Sequence, residues 1–336
     1  MTFNRHLKAI ATIVIAAAVL GSWWIIAASK EKVQPVKEFY LDVSEFEHEF
    51  YPGGPKVMLW GFNHQIPGPT IRVTEGDRVR VHLINRHTSN HTLHFHGLNV
   101  PNEMDGVAYG PMHHLEVEPG QTHVYEFTAD PPGTHMYHCH VNSPQHIDMG
   151  MSGVIIVEPK DKSAEPKVDK EEVLLLDEWY VNDKGLQEPM AHPAMIHDAN
   201  YFTINGKSFP ATEPIKLKEG ERVRVRMVNV GYQVHSMHLH GHSFVVTHKD
   251  GRPIKNPQEQ DTVLIGPGER YDLVFTAVRP GMWLFHCHIV PHVTNDGAYP
   301  GGLLVPVITE PKNPPVAKDA EHHAANDRPS EGAHVH

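Results

Sequence analysis

Four short segments of this 336-residue chain set histidines two positions apart. They are HTLHFHG (His91, His94, His96), HMYHCHV (His138, Cys139, His140), HSMHLHG (His235, His238, His240) and WLFHCHI (His286, Cys287, His288). On an extended strand, side chains two apart share a face, so each His-x-His pair points one way and the residue between points the other. The only two cysteines each sit inside such a pair. Most of the 29 histidines need no reading beyond ordinary core or surface roles. Four repeated pairs, two of them enclosing the only cysteines, form a metal-ligand pattern.

Thiolate with imidazole suits copper, and a His-Cys-His set with a weak axial methionine is a blue-copper electron-transfer site. His91, Cys139, His146 and Met151 supply that set, the last two from the loop HVNSPQHIDMGM. Zinc is the alternative for a Cys/His site, but a zinc site has no need of eight further paired histidines. His235, Cys287 and His292 repeat the pattern. Met151 stands five residues after His146, whereas Gly297 stands five after His292. The second set thus reads as three-coordinate copper, as copper with a non-sulfur neighbour, or as a degenerate site. The remaining eight histidines are His94, His96, His138, His140, His238, His240, His286 and His288. Four come from each half, and together they can hold three ions, two ligands for one and three for each of the others.

The elements that position these residues repeat. EGDRVRV (Glu75–Val81) returns as EGERVRV (Glu219–Val225), and His91, His94 and His96 map onto His235, His238 and His240 at the same spacing. Pro119-Gly120 and the first HCH motif map onto Pro267-Gly268 and the second, with four extra residues between. One unit used twice is too short an array for a solenoid. With 26 glycines, 28 prolines and short apolar alternations between turn signals, the chain reads as all-β, two packed sandwich or Greek-key barrel domains. The expected boundaries are 33–158 and 173–309, with a charged linker over 159–172 and a polar, histidine-bearing tail over 310–336, where His322, His323, His334 and His336 lie in solvated chain. Residues 1–32 carry Arg5 and Lys8 before an apolar run of about 20 residues, long enough to span a bilayer as a helix. They read as a membrane anchor or a signal peptide, with everything after them exported, periplasmic or extracytoplasmic. A formal charge of −11 argues against nucleic acid as a partner.

IPGPTIRVTEGDRVRVHLIN, HFHGLNVPNEMDG, HLHGHSF and HCHIVPH resemble the multicopper oxidases, the laccase-like family of cupredoxin-like domains, over nearly the whole exported region. The resemblance implies that His94 and His238 bind a type 2 copper and that His96, His138, His140, His240, His286 and His288 bind a type 3 pair. It implies dioxygen reduced to water there by electrons from type 1 copper through Cys139 and Cys287, with four or five copper ions per chain. Two domains rather than three match the two-domain subgroup, whose half-sites meet between subunits, so a homotrimer is expected. Asp105, in NEMDG, reads either as a proton relay for oxygen reduction or as a turn aspartate before glycine. Copper nitrite reductase is the nearest rival, but that family has an aspartate where His94 stands and lacks the second HCH. A non-catalytic copper carrier is a further alternative. The electron donor, a phenol, an aromatic amine or a metal ion, is open. If it is a cation, Asp148 and Asp296 are the acidic residues that would guide it. Met104, Met112, Met149 and Met151 fall short of a long methionine-rich insert.

Overall fold

The computed structural model describes residues 35–108, 116–182, 187–188 and 198–313. The expected N-terminal helix, Met112 and the histidines of the tail lie outside the described residues. Among the described residues no helix is long and apolar enough to cross a membrane.

The first half contains β1 (Lys37–Glu49), β2 (Lys56–Phe62), β3 (Gly68–Thr74), β4 (Arg78–Asn85), β5 (His94–His96), β6 (Thr122–Thr128), β7 (Gly133–His138) and β8 (Ser152–Glu158), with one short helix, α1 (Ser143–Asp148). Two four-stranded sheets result, ordered β2-β1-β4-β6 and β3-β8-β7-β5. The second half runs through β9 (Lys170–Val181), β10 (Gln187–Glu188), β11 (Tyr201–Ile204), β12 (Ile215–Lys218), β13 (Arg222–Asn229), β14 (His235–Leu239), β15 (Phe244–Lys249), β16 (Arg252–Pro253), β17 (Glu259–Gln260), β18 (Thr262–Ile265), β19 (Arg270–Thr276), β20 (Gly281–Cys287) and β21 (Leu304–Glu310). Its sheets are β10-β9-β13-β19-β15-β16, joined by β11 and β17, and β12-β21-β20-β14-β18. The architecture is all-β with two sandwiches, as the sequence predicts.

Alternation explains each sandwich. Along β4, Val79, Val81 and Leu83 are fully buried, and Tyr125 and Phe127 of the paired β6 meet them in the same core. Each such side chain contributes about 1.5–3 kcal/mol by leaving water. Arg78 and Arg80 point outward and pair with Glu126. The turn at Glu75-Gly76 does not form a hairpin: β3 and β4 lie in different sheets, so it carries the chain from one layer to the other.

The repeat is less symmetric than its letters. Arg224 and Arg226 of β13 match the partly exposed Arg80 and His82 in β4, yet both are buried. Their face is covered by the other half. Arg226 Nη1 donates to Thr134 Oγ1 of β7 at 2.7 Å and to Asp272 Oδ2 at 3.0 Å, and its Nη2 reaches Glu171 at 2.8 Å. An apolar cluster of Met136, Val154, Ile156, Leu175, Val228 and Val230 joins the two halves beside these ions. The expected linker is shorter than 159–172, because β9 begins at Lys170. It is also pinned, Glu165 accepting from Arg224 at 2.7 Å.

Candidate metal centres

Strands β5 and β7 are antiparallel neighbours with His94 opposite His138, and β14 and β20 repeat the arrangement with His238 opposite His286. Pairing fixes which residues meet, and the two-residue period divides them between faces. On the inner face of the first half, His91, Cys139 and His146 converge: Cys139 Sγ lies 3.2 Å from His146 Nδ1 and 3.6 Å from His91 Nδ1. Three ligand atoms about 2.0–2.3 Å from one ion stand roughly 3.5–4.0 Å apart in a trigonal plane, so the set is close to the dimensions of a metal site. Both cysteines are unpaired and buried. Burial pushes the Cys139 thiol up to about 11 and holds His91 down to about 2 and His146 to about 4. A thiolate at that position needs a cation beside it, and two neutral imidazoles are ready to share it.

Hydrogen bonds set the tautomers. Glu45 accepts from His87 Nε2 at 3.2 Å, and His87 Nδ1 then accepts from His91 Nε2 at 2.9 Å, which leaves the His91 Nδ1 lone pair facing Cys139. Trp60 lies edge-on to His146, with ring centroids 5.1 Å apart. Met151 is fully buried in the same core; its N–H donates to the His146 carbonyl at 3.1 Å, and its carbonyl accepts from the Cys139 N–H at 3.1 Å.

The second half forms the matching set. His235 and His292 bring their Nδ1 atoms to 3.0 Å, and Cys287 Sγ lies 3.6 Å from His292 Nδ1. Here the structure corrects the spacing argument. The residue whose N–H donates to the His292 carbonyl and whose carbonyl accepts from the Cys287 N–H is Leu303, at 2.9 and 3.0 Å. Leu303, fully buried, therefore occupies the place of Met151. Gly297 lies in the intervening loop, with φ +78°. That position carries no sulfur, and a loop longer by several residues hid it from a count. The Phe202 ring stacks on His292 at 4.3 Å.

The even-face histidines gather as two quartets. Ring contacts link His94 with His96, His138 and His140, and link His238 with His240, His286 and His288. In four of the eight, Nδ1 donates to a main-chain carbonyl: His94 to Asp105 at 2.8 Å, His138 to Cys139 at 2.9 Å, His238 to Asp261 at 3.0 Å and His286 to Cys287 at 2.9 Å. Each Nε2 lone pair is thereby left for a ligand. His286 Nε2 lies only 2.9 Å from His240 Nε2, so the two rings converge on one point. His94, His96 and His138 form a third metal-sized group. None of the three groups combines residues of both halves.

Asp105 ends the short 3-10 turn Asn102–Met104, and its carboxylate lies 3.3 Å from His94 Nδ1. It is a turn residue beside the first quartet. Asp148 is buried in α1 and cannot present a cation-guiding carboxylate to solvent, whereas Asp296 is exposed. Met149 is buried and Met104 packs on the core. Reasoning from the sequence missed His87, Glu178 and Leu303. His87 is visible as a fourth histidine beside His91. Leu303 leaves no signal, since it depends on a loop of different length, and Glu178 leaves only the glycine, Gly231, at the repeat position of His87.

Two family models described as multicopper oxidase match residues 46–162 and 185–300. The chain belongs to the multicopper oxidase family. It is an oxidoreductase of cupredoxin-like fold that uses copper, and the donor sets above fit that metal. Among curated relatives, a multicopper oxidase of Mycobacterium tuberculosis is 31% identical over 67% of this chain and 49% of its own length. A copper-containing nitrite reductase of Neisseria gonorrhoeae is 31% identical over 73% of this chain and 62% of its own. The chain therefore spans about half to three fifths of these two relatives. The structure is similar to the blue copper oxidase of Nitrosomonas europaea (TM-score 0.76, 40% identity, 82% of this chain and 86% of that one). It is also similar to that organism's copper nitrite reductase (TM-score 0.70, 32% identity, 82% and 94%).

Proposed function

We propose that this protein couples one-electron oxidation of a small reducing substrate to four-electron reduction of dioxygen to water. The copper it binds would supply the redox chemistry: type 1 ions on the Cys139 and Cys287 sets, and a trinuclear cluster on the eight histidines. The observation that carries this reading is the duplicated quartet, with His94 in the first and the complete second HCH in the other. A nitrite-reducing site needs only three histidines.

The chain's own residues serve that task in definite ways. Cys139 lies between His138 and His140, and its carbonyl accepts from His138 Nδ1, so a covalent and a hydrogen-bonded route both lead from the thiolate to the quartet. Cys287 and His286 repeat the device. Asp105, at the edge of the first quartet, is placed to pass protons toward it. Because each quartet is assembled within its own half, two halves from different chains facing each other would complete a cluster, which supports a ring of three subunits. The apolar run before Lys30 supports an exported location. Phenols, aromatic amines and oxidisable metal ions all remain donor classes for the type 1 sites.

An oxygen electrode and a nitrite assay on the copper-loaded protein test the reaction. Oxygen uptake with reduced donor and no nitrite turnover is expected; nitrite reduction without oxygen uptake would overturn the reading. Light scattering on the eluting protein tests assembly, and an active copper-loaded monomer would refute the ring.

A further inference from the structure

Glu178 is among the most deeply buried charged residues of the described chain. Its side chain is fully enclosed, and no lysine or arginine pairs with it among the described ion pairs. Its partners are instead three N–H donors. Oε1 accepts from the Tyr232 and Gln233 main-chain N–H groups, each at 2.6 Å, and Oε2 accepts from His235 Nε2 at 3.2 Å. A carboxylate only accepts, so His235 carries its proton on Nε2 and its Nδ1 lone pair faces His292 and Cys287.

The first half solves the same problem differently. His91 Nε2 donates to His87 Nδ1, and the Glu45 carboxylate lies one imidazole further away, on a half-exposed side chain. The repeat spacing places Gly231 where His87 stands. A Cβ on Gly231 would overlap the Glu178 carboxylate. The missing side chain is therefore the space that Glu178 fills from β9.

We propose that Glu178 is a positioning residue for the second-half copper site: it locks the His235 tautomer and makes that imidazole a more anionic ligand than His91. The inference rests on the reading that this site holds copper. An anionic ligand stabilises the oxidised ion, and a buried carboxylate in direct contact acts far more strongly than one in solvent at one ring's remove. Glutamine cannot replace it, because its single oxygen cannot accept from three donors.

A Cys139→Ser background removes the first-half thiolate and isolates the second site. In it, Glu178→Gln is expected to weaken copper binding by about 10–100-fold and to shift the midpoint potential positive, while Glu178→Asp, which keeps the charge, shifts it less. Copper is titrated alone and the potential read by spectroelectrochemistry. Unchanged affinity and potential in Glu178→Gln would overturn the proposal. A Cys139→Ser protein that takes up no copper at Cys287 would sink the proposal and the two-centre reading together. Nitrogen-15 NMR of histidine-labelled, metal-free wild-type protein gives a test needing no variant: His235 is expected as the Nε2–H tautomer, and the Nδ1–H tautomer refutes the assignment.

Discussion

Replacing Arg226 by Met should destabilise the protein by about 3–5 kcal/mol, the cost of breaking one partner out of a buried ion pair. Arg226 is 3% exposed and holds three partners, Asp272, Glu171 and Thr134. Methionine keeps most of the stem volume, so packing losses stay small. The partners are unequal. Glu171 is partly exposed and keeps Arg72, so losing Arg226 costs it little. Thr134 retains Asp272 Oδ1 at 2.6 Å. Asp272, 2% exposed, is left with that hydroxyl and with His248 Nδ1 at 3.7 Å. Nearly all of the cost therefore falls on one uncompensated carboxylate. The reverse change is milder: in Asp272→Asn, Arg226 still has Glu171 at 2.8 Å, so the loss should be smaller by about 1.5–3 kcal/mol, one charged hydrogen bond's worth. The double variant should lose less than the two singles combined. Urea unfolding of the metal-free single and double variants, followed by tryptophan fluorescence, measures all three. An Arg226→Met cost below about 1 kcal/mol, or strict additivity in the cycle, would refute the assignment of the loss to a stranded Asp272 charge.

Further outcomes are expected at the metal sites and in the core. Met151→Leu should raise the potential of the first-half copper and Leu303→Met lower that of the second, each costing less than about 1.5 kcal/mol of stability; spectroelectrochemistry reads the shifts. Asp105→Ala should slow oxygen reduction by about 10²-fold with copper content unchanged if it relays protons, and an unaltered rate would leave it as a turn residue only. Burial, with the Arg270 guanidinium beside it, holds His135 down to about 4. Its folded value lies below the unfolded one, so between about 6.5 and 4 only the unfolded chain takes up its proton, and stability falls as pH falls. From pH 7 to pH 5 that amounts to about 2 kcal/mol; His135→Gln should lose that share of the pH dependence in urea titrations.

The ligand pattern was legible because a strand's period is two and the histidines obey it: the faces of His94, Cys139, His238 and Cys287 follow from spacing alone. The two-sandwich fold was legible from the repeat. Less visible was whatever depends on chain segments meeting through the fold. Leu303 was hidden because loops of unequal length join the same two backbone hydrogen bonds. Glu178 was hidden because its partner site lies more than 50 residues away, and its one local trace is an absence, Gly231 in place of a histidine. The burial of Arg224 and Arg226 was hidden because identical alternation describes a wetted face in one copy and a covered face in the other.

That covered face has a consequence for assembly. Met136, Val154, Ile156, Leu175, Val228 and Val230, with Arg226 tying Thr134 to Asp272, join the halves along one buried seam. If copies join end to end through their quartets, the angle at this internal joint sets how far each copy turns from the last, and so how many close a circle. The subunit count would then be written inside the chain, at the seam between its two halves. Loosening that seam should broaden the distribution of oligomers before it changes any copper ligand.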